Sequence, residues 1–254
     1  MQRLLLSLVY ILTVVATATA TPFEEGVAAY GQADYPAAIE YFTQSLNEEG
    51  PTAEGYYNLG AAYYKNDELA QAILAFERAY RIAPSDRDIR FNLDLARSQT
   101  IDEIEEERQL FISRRFRQMS HWASLTFWRA AGLTLFAIFL VGLFHYLRGK
   151  RRSIRQLGFY GGIAALFLSV VVNLLAYRSY QFTHDDKEAI LTADIITVKS
   201  SPDASAKDIV VVHSGLKVET LQQLSGYVEV KLPDGTIGWI PQEACQIINN
   251  FNIK

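Results

Sequence analysis

The chain has 254 residues, 28 Asp/Glu against 24 Lys/Arg, a net charge of −4, and an apolar half. A single cysteine, Cys245, excludes an intrachain disulfide. Residues 21–113 carry 18 acidic and 7 basic side chains, and so negative a surface repels phosphate backbones and excludes nucleic acid as its partner.

At the start, Arg3 precedes an apolar run over residues 4–15 and the small residues Ala18-Thr19-Ala20. A charged head, a short apolar core and an A-x-A site predict a secretory leader over residues 1–20, with the mature chain beginning at Thr21. The next segment repeats itself. Gly26 and Gly60, Tyr30 and Tyr64, Ala38 and Ala72, Ile39 and Ile73, and Phe42 and Phe76 each stand 34 residues apart. Tyr56, Leu59, Gly60, Tyr63, Ala72, Phe76, Ala79 and Pro84 follow the spacing of the tetratricopeptide repeat. Two units result, residues 23–50 and 53–86, followed by a predicted long capping helix over 87–119. Asn92-Leu93 restates Asn58-Leu59 at the same offset, and an atypical terminal unit is expected in such arrays.

The resemblance to tetratricopeptide repeats implies a concave groove lined by first-helix residues. Here that groove takes Phe23, Val27 and Tyr30, then Tyr57, Asn58, Ala61, Tyr64 and Lys65, then Asp88, Phe91, Asn92 and Leu95. Its candidate protein-binding residues are Tyr30, Tyr57, Asn58, Tyr64, Lys65, Phe91 and Asn92. Tyr57 and Tyr64 suit either a groove or the packing between helices. A carboxylate clamp is rejected, because only Asn58 matches one and Asp88 has the wrong sign. The run Asp102, Glu103, Glu105, Glu106 and Glu107 reads as a solvated helix face, with an acidic docking patch as the alternative.

Two apolar segments, residues 130–147 and 157–177, each approach the ~20 residues that cross a bilayer; the predicted spans are 124–147 and 157–178. Between them, residues 148–156 hold Arg148, Lys150, Arg151, Arg152 and Arg155. Short loops this basic stay in the cytoplasm, which places both soluble parts on the other side. Arg114, Arg115 and Arg117 oppose this topology, and a reversed hairpin is the alternative. In the second span Gly158, Gly161, Gly162, Ala165 and Ser169 make a small-residue face, with Asn173 one turn on. It would pack on the first span or on a second copy, with Gly158, Gly162, Ser169 and Asn173 as the packing residues.

Beyond Thr183 the pattern turns to β, with strands expected at 189–197, 209–213, 217–223, 227–232 and 236–240. Val198-Lys199-Ser200-Ser201-Pro202, Ser214-Gly215, and Asp234-Gly235 followed by Gly238-Trp239-Ile240 resemble bacterial SH3-like domains. That likeness implies a small barrel over residues 188–248, with Trp239 in its core. Cys245 reads as a small apolar residue and not as a reactive thiol.

There is no P-loop, no H-E-x-x-H and no Cys/His cluster. His121, His145, His184 and His213 are scattered as interfacial or surface residues. No enzyme, metal or cofactor is expected. The fold class is therefore multidomain: an all-α repeat domain, a two-helix transmembrane hairpin and a small all-β SH3-like barrel. In that order, behind a leader, these modules resemble the BatE family of the Bacteroides aerotolerance operon. The resemblance implies an inner-membrane protein whose partners are von Willebrand A membrane proteins and a MoxR-type ATPase from the same operon. The implied role is a periplasmic scaffold in envelope or oxidative stress tolerance. A cell-wall sensor binding peptidoglycan through the SH3-like domain, or a periplasmic chaperone, are the alternatives.

Overall fold

The computed structural model describes residues 20–102, 119, 122–249 and 251. Residues 1–19 of the leader expected over 1–20, the acidic residues 103–107, and Arg114, Arg115, Arg117 and His121 lie outside them. The repeat forms α1 (Pro22–Gly31), α2 (Tyr35–Glu49), α3 (Ala53–Lys65), α4 (Leu69–Ile82) and α5 (Arg87–Arg97). Local chemistry sets the starts. Thr21 and Glu24 form a reciprocal capping box with Pro22 at the first helical position, and Asp34, Thr52 and Asp86 cap α2, α3 and α5 through their side-chain oxygens. The period is visible in the packing. A Cβ on Gly26 would stand 2.7 Å from the Phe42 ring, and one on Gly60 would stand 2.7 Å from the Phe76 ring. In each unit, therefore, an absent side chain lets a second-helix ring sit directly on the first helix. Ala33 and Asp67, also 34 residues apart, both take positive φ at the turn between the paired helices.

The helix expected over 87–119 ends at Arg97. Ser98 Oγ donates to the Leu95 carbonyl and Thr100 Oγ1 to the Arg97 carbonyl, so short hydroxyl side chains take acceptors that a continuing helix would use. Asp102 then leaves the predicted solvated face altogether, as described below.

Two long apolar helices follow, α6 (Leu125–Arg148) and α7 (Arg152–His184), each long and apolar enough to cross a membrane. They pack against each other as a hairpin. A Cβ on Gly142 would meet the Gly158 carbonyl at 2.9 Å and Gly162 Cα at 3.0 Å, so the backbones nearly touch. Ser169 Oγ donates to the Gly132 carbonyl at 3.1 Å. Phe136, Phe144, Leu157, Phe167 and Leu174 point outward, exposed; an apolar surface of that extent needs lipid or a partner around it. The predicted basic loop over 148–156 is shorter than expected. Arg152 and Arg155 belong to the first turn of α7, because residues 150–157, after Gly149, contain no Gly or Pro to delay the helix. At 33 residues, α7 is about 50 Å long at 1.5 Å per residue, some 20 Å more than a hydrocarbon core.

The C-terminal part is one antiparallel sheet of seven strands, β1 (Glu188–Leu191), β2 (Ile195–Lys199), β3 (Asp208–His213), β4 (Lys217–Leu224), β5 (Tyr227–Lys231), β6 (Ile237–Pro241) and β7 (Cys245–Ile247). Their order is β3-β2-β6-β5-β4-β1-β7. The expected five-stranded barrel is thus replaced by a sheet that is not closed, with β3 and β7 at its edges. The single strand expected over 189–197 is two strands, because the Thr192 and Ala193 amides both donate to the Ala244 carbonyl and turn the chain from one set of partners to another. Ser225 and Gly226, both at positive φ, make the tight β4–β5 hairpin turn that such residues favour. Trp239 is 8 % exposed and therefore buried. Cys245 is half-buried, and burial pushes its thiol up to about 11, away from reactivity.

Candidate protein-binding surface

First helices α1, α3 and α5 lie side by side, as the repeat requires. Their common face carries the predicted groove residues, but not on equal terms. Phe91 is 67 % exposed, Val27 49 % and Leu95 38 %; these are its open apolar contacts. Tyr57 is half-buried, with its ring 5.9 Å from that of Phe76 and its hydroxyl accepting from Asn92 Nδ2 at 3.1 Å. Burial first, then the carboxylates of Asp88 and Asp86, raise the Tyr57 phenol above its ordinary range. Tyr64 accepts a hydrogen bond from Gln99 Nε2, and Tyr30 packs on Tyr35 at 5.5 Å. Asn92 Nδ2 also donates to the Asp88 carbonyl at 2.9 Å, and Asn58 Nδ2 donates to the Glu54 carbonyl at 3.0 Å. Both donors of the Asn92 amide are therefore engaged within the fold, whereas Asn58 keeps one N–H and its oxygen to meet a ligand. Lys65 is exposed at the edge.

The face is acidic as well as apolar. Glu54, Asp88 and Asp94 are exposed on α3 and α5; Arg87 is exposed beside them, whereas the other arginines of the repeat have partners within the fold. Arg90 donates to the Pro84 carbonyl. Arg78, Arg81 and Arg97 all serve the opposite face, where α4 meets the sheet.

That second face was not legible as a site in the sequence. Ile73, Leu74, Ile190 and Ile248 form one buried cluster with the repeat. Arg78 Nε donates to the Ile248 carbonyl at 3.1 Å, and Tyr56 OH donates to the Phe251 carbonyl at 3.3 Å. Arg81 pairs with Glu188 and donates to the Phe182 carbonyl, with its guanidinium 4.2 Å from the Phe182 ring centre. Glu77, buried, pairs with Arg97 and with Lys217, the latter at 3.4 Å; Lys217 also reaches Glu188 at 2.5 Å. Burial alone would raise the Glu77 carboxyl, but Lys217, Arg97 and Arg81 around it hold it at about 2. Burial lowers Lys217 to about 8 against the attraction of Glu77. Nearby, the His213 backbone amide donates to Asp102 at 2.6 Å and its Nδ1 lies 2.9 Å from the same carboxylate. His213 and Asp102, read separately as surface residues, are thus a joint between the modules. One signal did exist: residues 72–76 are Ala-Ile-Leu-Ala-Phe, apolar on every side of a helix, which marks a helix buried all round.

In the hairpin, Gly158, Gly162 and Ser169 are buried along α6, and Asn173 Nδ2 donates to the Ser169 carbonyl at 2.8 Å beneath Gly132. Arg148, Lys150, Arg151, Arg152 and Arg155 gather at the far end of the hairpin, away from Phe182 and the soluble modules.

No curated protein and no solved structure matches the chain. A tetratricopeptide repeat model matches residues 23–87, and this part of the chain is a tetratricopeptide repeat region, a fold that points to protein–protein interaction.

Proposed function

We propose that this chain is a membrane-anchored scaffold that binds a partner protein on the open face of its repeat and performs no chemistry of its own. The observation that carries the reading is the division of the repeat's two faces. The α4 face is covered by the chain's own sheet, while Phe91, Leu95 and Val27 remain open among the carboxylates of Asp88, Asp94 and Glu54. An apolar strip flanked by negative charge suits a segment with apolar anchors and Lys or Arg beside them. The hairpin would hold this face at a membrane, and the basic end of the hairpin favours a cytoplasmic turn with both modules in the periplasm. The resemblance to BatE proteins names the partners to test first, the von Willebrand A membrane proteins of such an operon.

Phe91→Ala tests the face cleanly, because so exposed a ring contributes little to folding. Its truncation at a hot spot should cost ~2 kcal/mol of binding, about a thirtyfold loss. Recovery of crosslinked partners from detergent extracts should fall while thermal melting of the chain stays put. Unchanged recovery with both Phe91→Ala and Leu95→Asp would move the binding surface elsewhere, the sheet and peptidoglycan being next in line.

A further inference from the structure

At the end of the hairpin remote from the soluble modules, a pocket of about 540 Å³ opens between α6 and α7, walled by Lys150, Arg152 and Arg155 and by Tyr146, Phe159 and Tyr160. Its charge is uncompensated. No Asp or Glu occurs anywhere in residues 108–184, and among the described residues no carboxylate pairs with any of these three cations. Arg155 instead lies over the Tyr146 ring at 5.7 Å. The cations also stand at the wrong end of a helix. Arg152 opens α7, no side chain caps that start, and no acidic residue lies in its first turn; a helix N-terminus disfavours positive charge and attracts anions. The three cations are exposed, so they are open to an anion at the positive end of a 33-residue helix. Phosphate suits the arginines, whose planar forks bind its oxygens in pairs.

We infer that this pocket is a phosphate-binding site, filled by the headgroup of an anionic phospholipid. The position argues for lipid. The pocket sits where the apolar run ends, which in a spanning hairpin is headgroup depth, and its aromatic wall is of the kind that lies at that interface. Basic pockets between transmembrane helices are suited to such headgroups. The site is independent of the repeat's open face and stands or falls without it.

The test uses the full chain, purified and placed in nanodiscs of phosphatidylcholine with or without phosphatidylglycerol, with retained lipid read by native mass spectrometry. Wild type should keep phosphatidylglycerol through detergent exchange. Arg152→Gln with Arg155→Gln should weaken retention about thirtyfold, at about 1 kcal/mol per cation. Arg129→Gln with Arg178→Gln, at the opposite end, should leave it unchanged. Lys150→Gln with Arg155→Gln provides the same reading if the first pair fails to insert. An excess of inorganic phosphate distinguishes the source: lipid that stays bound identifies a headgroup site, and lipid that is displaced identifies a site for free phosphate. Equal retention by wild type and both pocket variants, or equal loss in the Arg129/Arg178 variant, overturns the proposal.

Discussion

Glu77 shows how much one residue carries in the joint between modules. It is buried, yet three cations keep it ionised, and its removal would take the carboxylate partner from Arg97 and leave Lys217 with Glu188 alone. Breaking a buried pair from one side typically costs about 3 kcal/mol or more. The sign with pH follows from its carboxyl, held at about 2 when folded against an ordinary 4.5. A group depressed in this way stabilises the fold above its unfolded value and stops doing so as pH falls through the folded one. A Glu77→Gln chain should therefore be less stable than wild type by about 3 kcal/mol above pH 4.5. The gap should narrow as pH falls from 4.5 toward 2 and close below that, where wild-type Glu77 is itself neutral. Paired chemical-denaturation curves at several pH values measure it; a gap independent of pH would mean that Glu77 contributes by shape and not by charge.

At the scale of elements, the hairpin separates glycines that look alike in sequence. A Cβ on Gly158 would stand 2.6 Å from the Gly142 carbonyl and 2.8 Å from the Tyr146 amide, backbone atoms that cannot step aside. A Cβ on Gly162 would find its nearest neighbours at 3.8 Å, an ordinary contact, and one on Gly161 would find nothing within 4 Å. Gly158→Ala should thus push α6 and α7 apart and cost about 1–3 kcal/mol, the usual range for overpacking. Gly162→Ala and Gly161→Ala should be close to neutral. Thermal melting of the three variants in detergent checks the order, and a Gly162→Ala chain as weak as Gly158→Ala would contradict this packing.

On the scale of the whole molecule, the repeat and the sheet are not beads on a string. The end of α7, the start of β1 and the tail after β7 meet α4 through Phe182, Glu188 and Ile248, and the tail also meets α3 through Phe251. The consequence is that the C-terminal tail stabilises the N-terminal module. Truncation after Ala244 removes β7, Ile248 and Phe251, and uncovers Leu74 and Arg78. Amides of residues 72–82 should then exchange hydrogen faster and the repeat should melt at lower temperature, even though none of its own residues has changed. Unaltered exchange in α4 would show two independent modules.

Much of this architecture was legible in one dimension. The 34-residue period, the small residues at Gly26 and Gly60, the two apolar runs and the Ser225-Gly226 turn each act within a few residues of themselves or through a fixed repeat, so local pattern determined them. Phe91 as an open groove residue follows from the same period. The rest depended on distant partners. Whether Tyr57 faces a ligand or a neighbour depended on Phe76 and Asn92, and the length of α5 depended on hydroxyl side chains competing for its last carbonyls. Closure of the sheet depended on β7 pairing with β1 and leaving β3 at the other edge. Above all, nothing along the sequence sets the charges of Glu77, Arg78 and Arg81 on α4, and Arg97 on α5, apart from solvated ones. Only the tertiary structure brings Glu188 and Lys217 onto them across more than a hundred residues, because burial and pairing are properties of where chains meet and not of the pattern along any one of them.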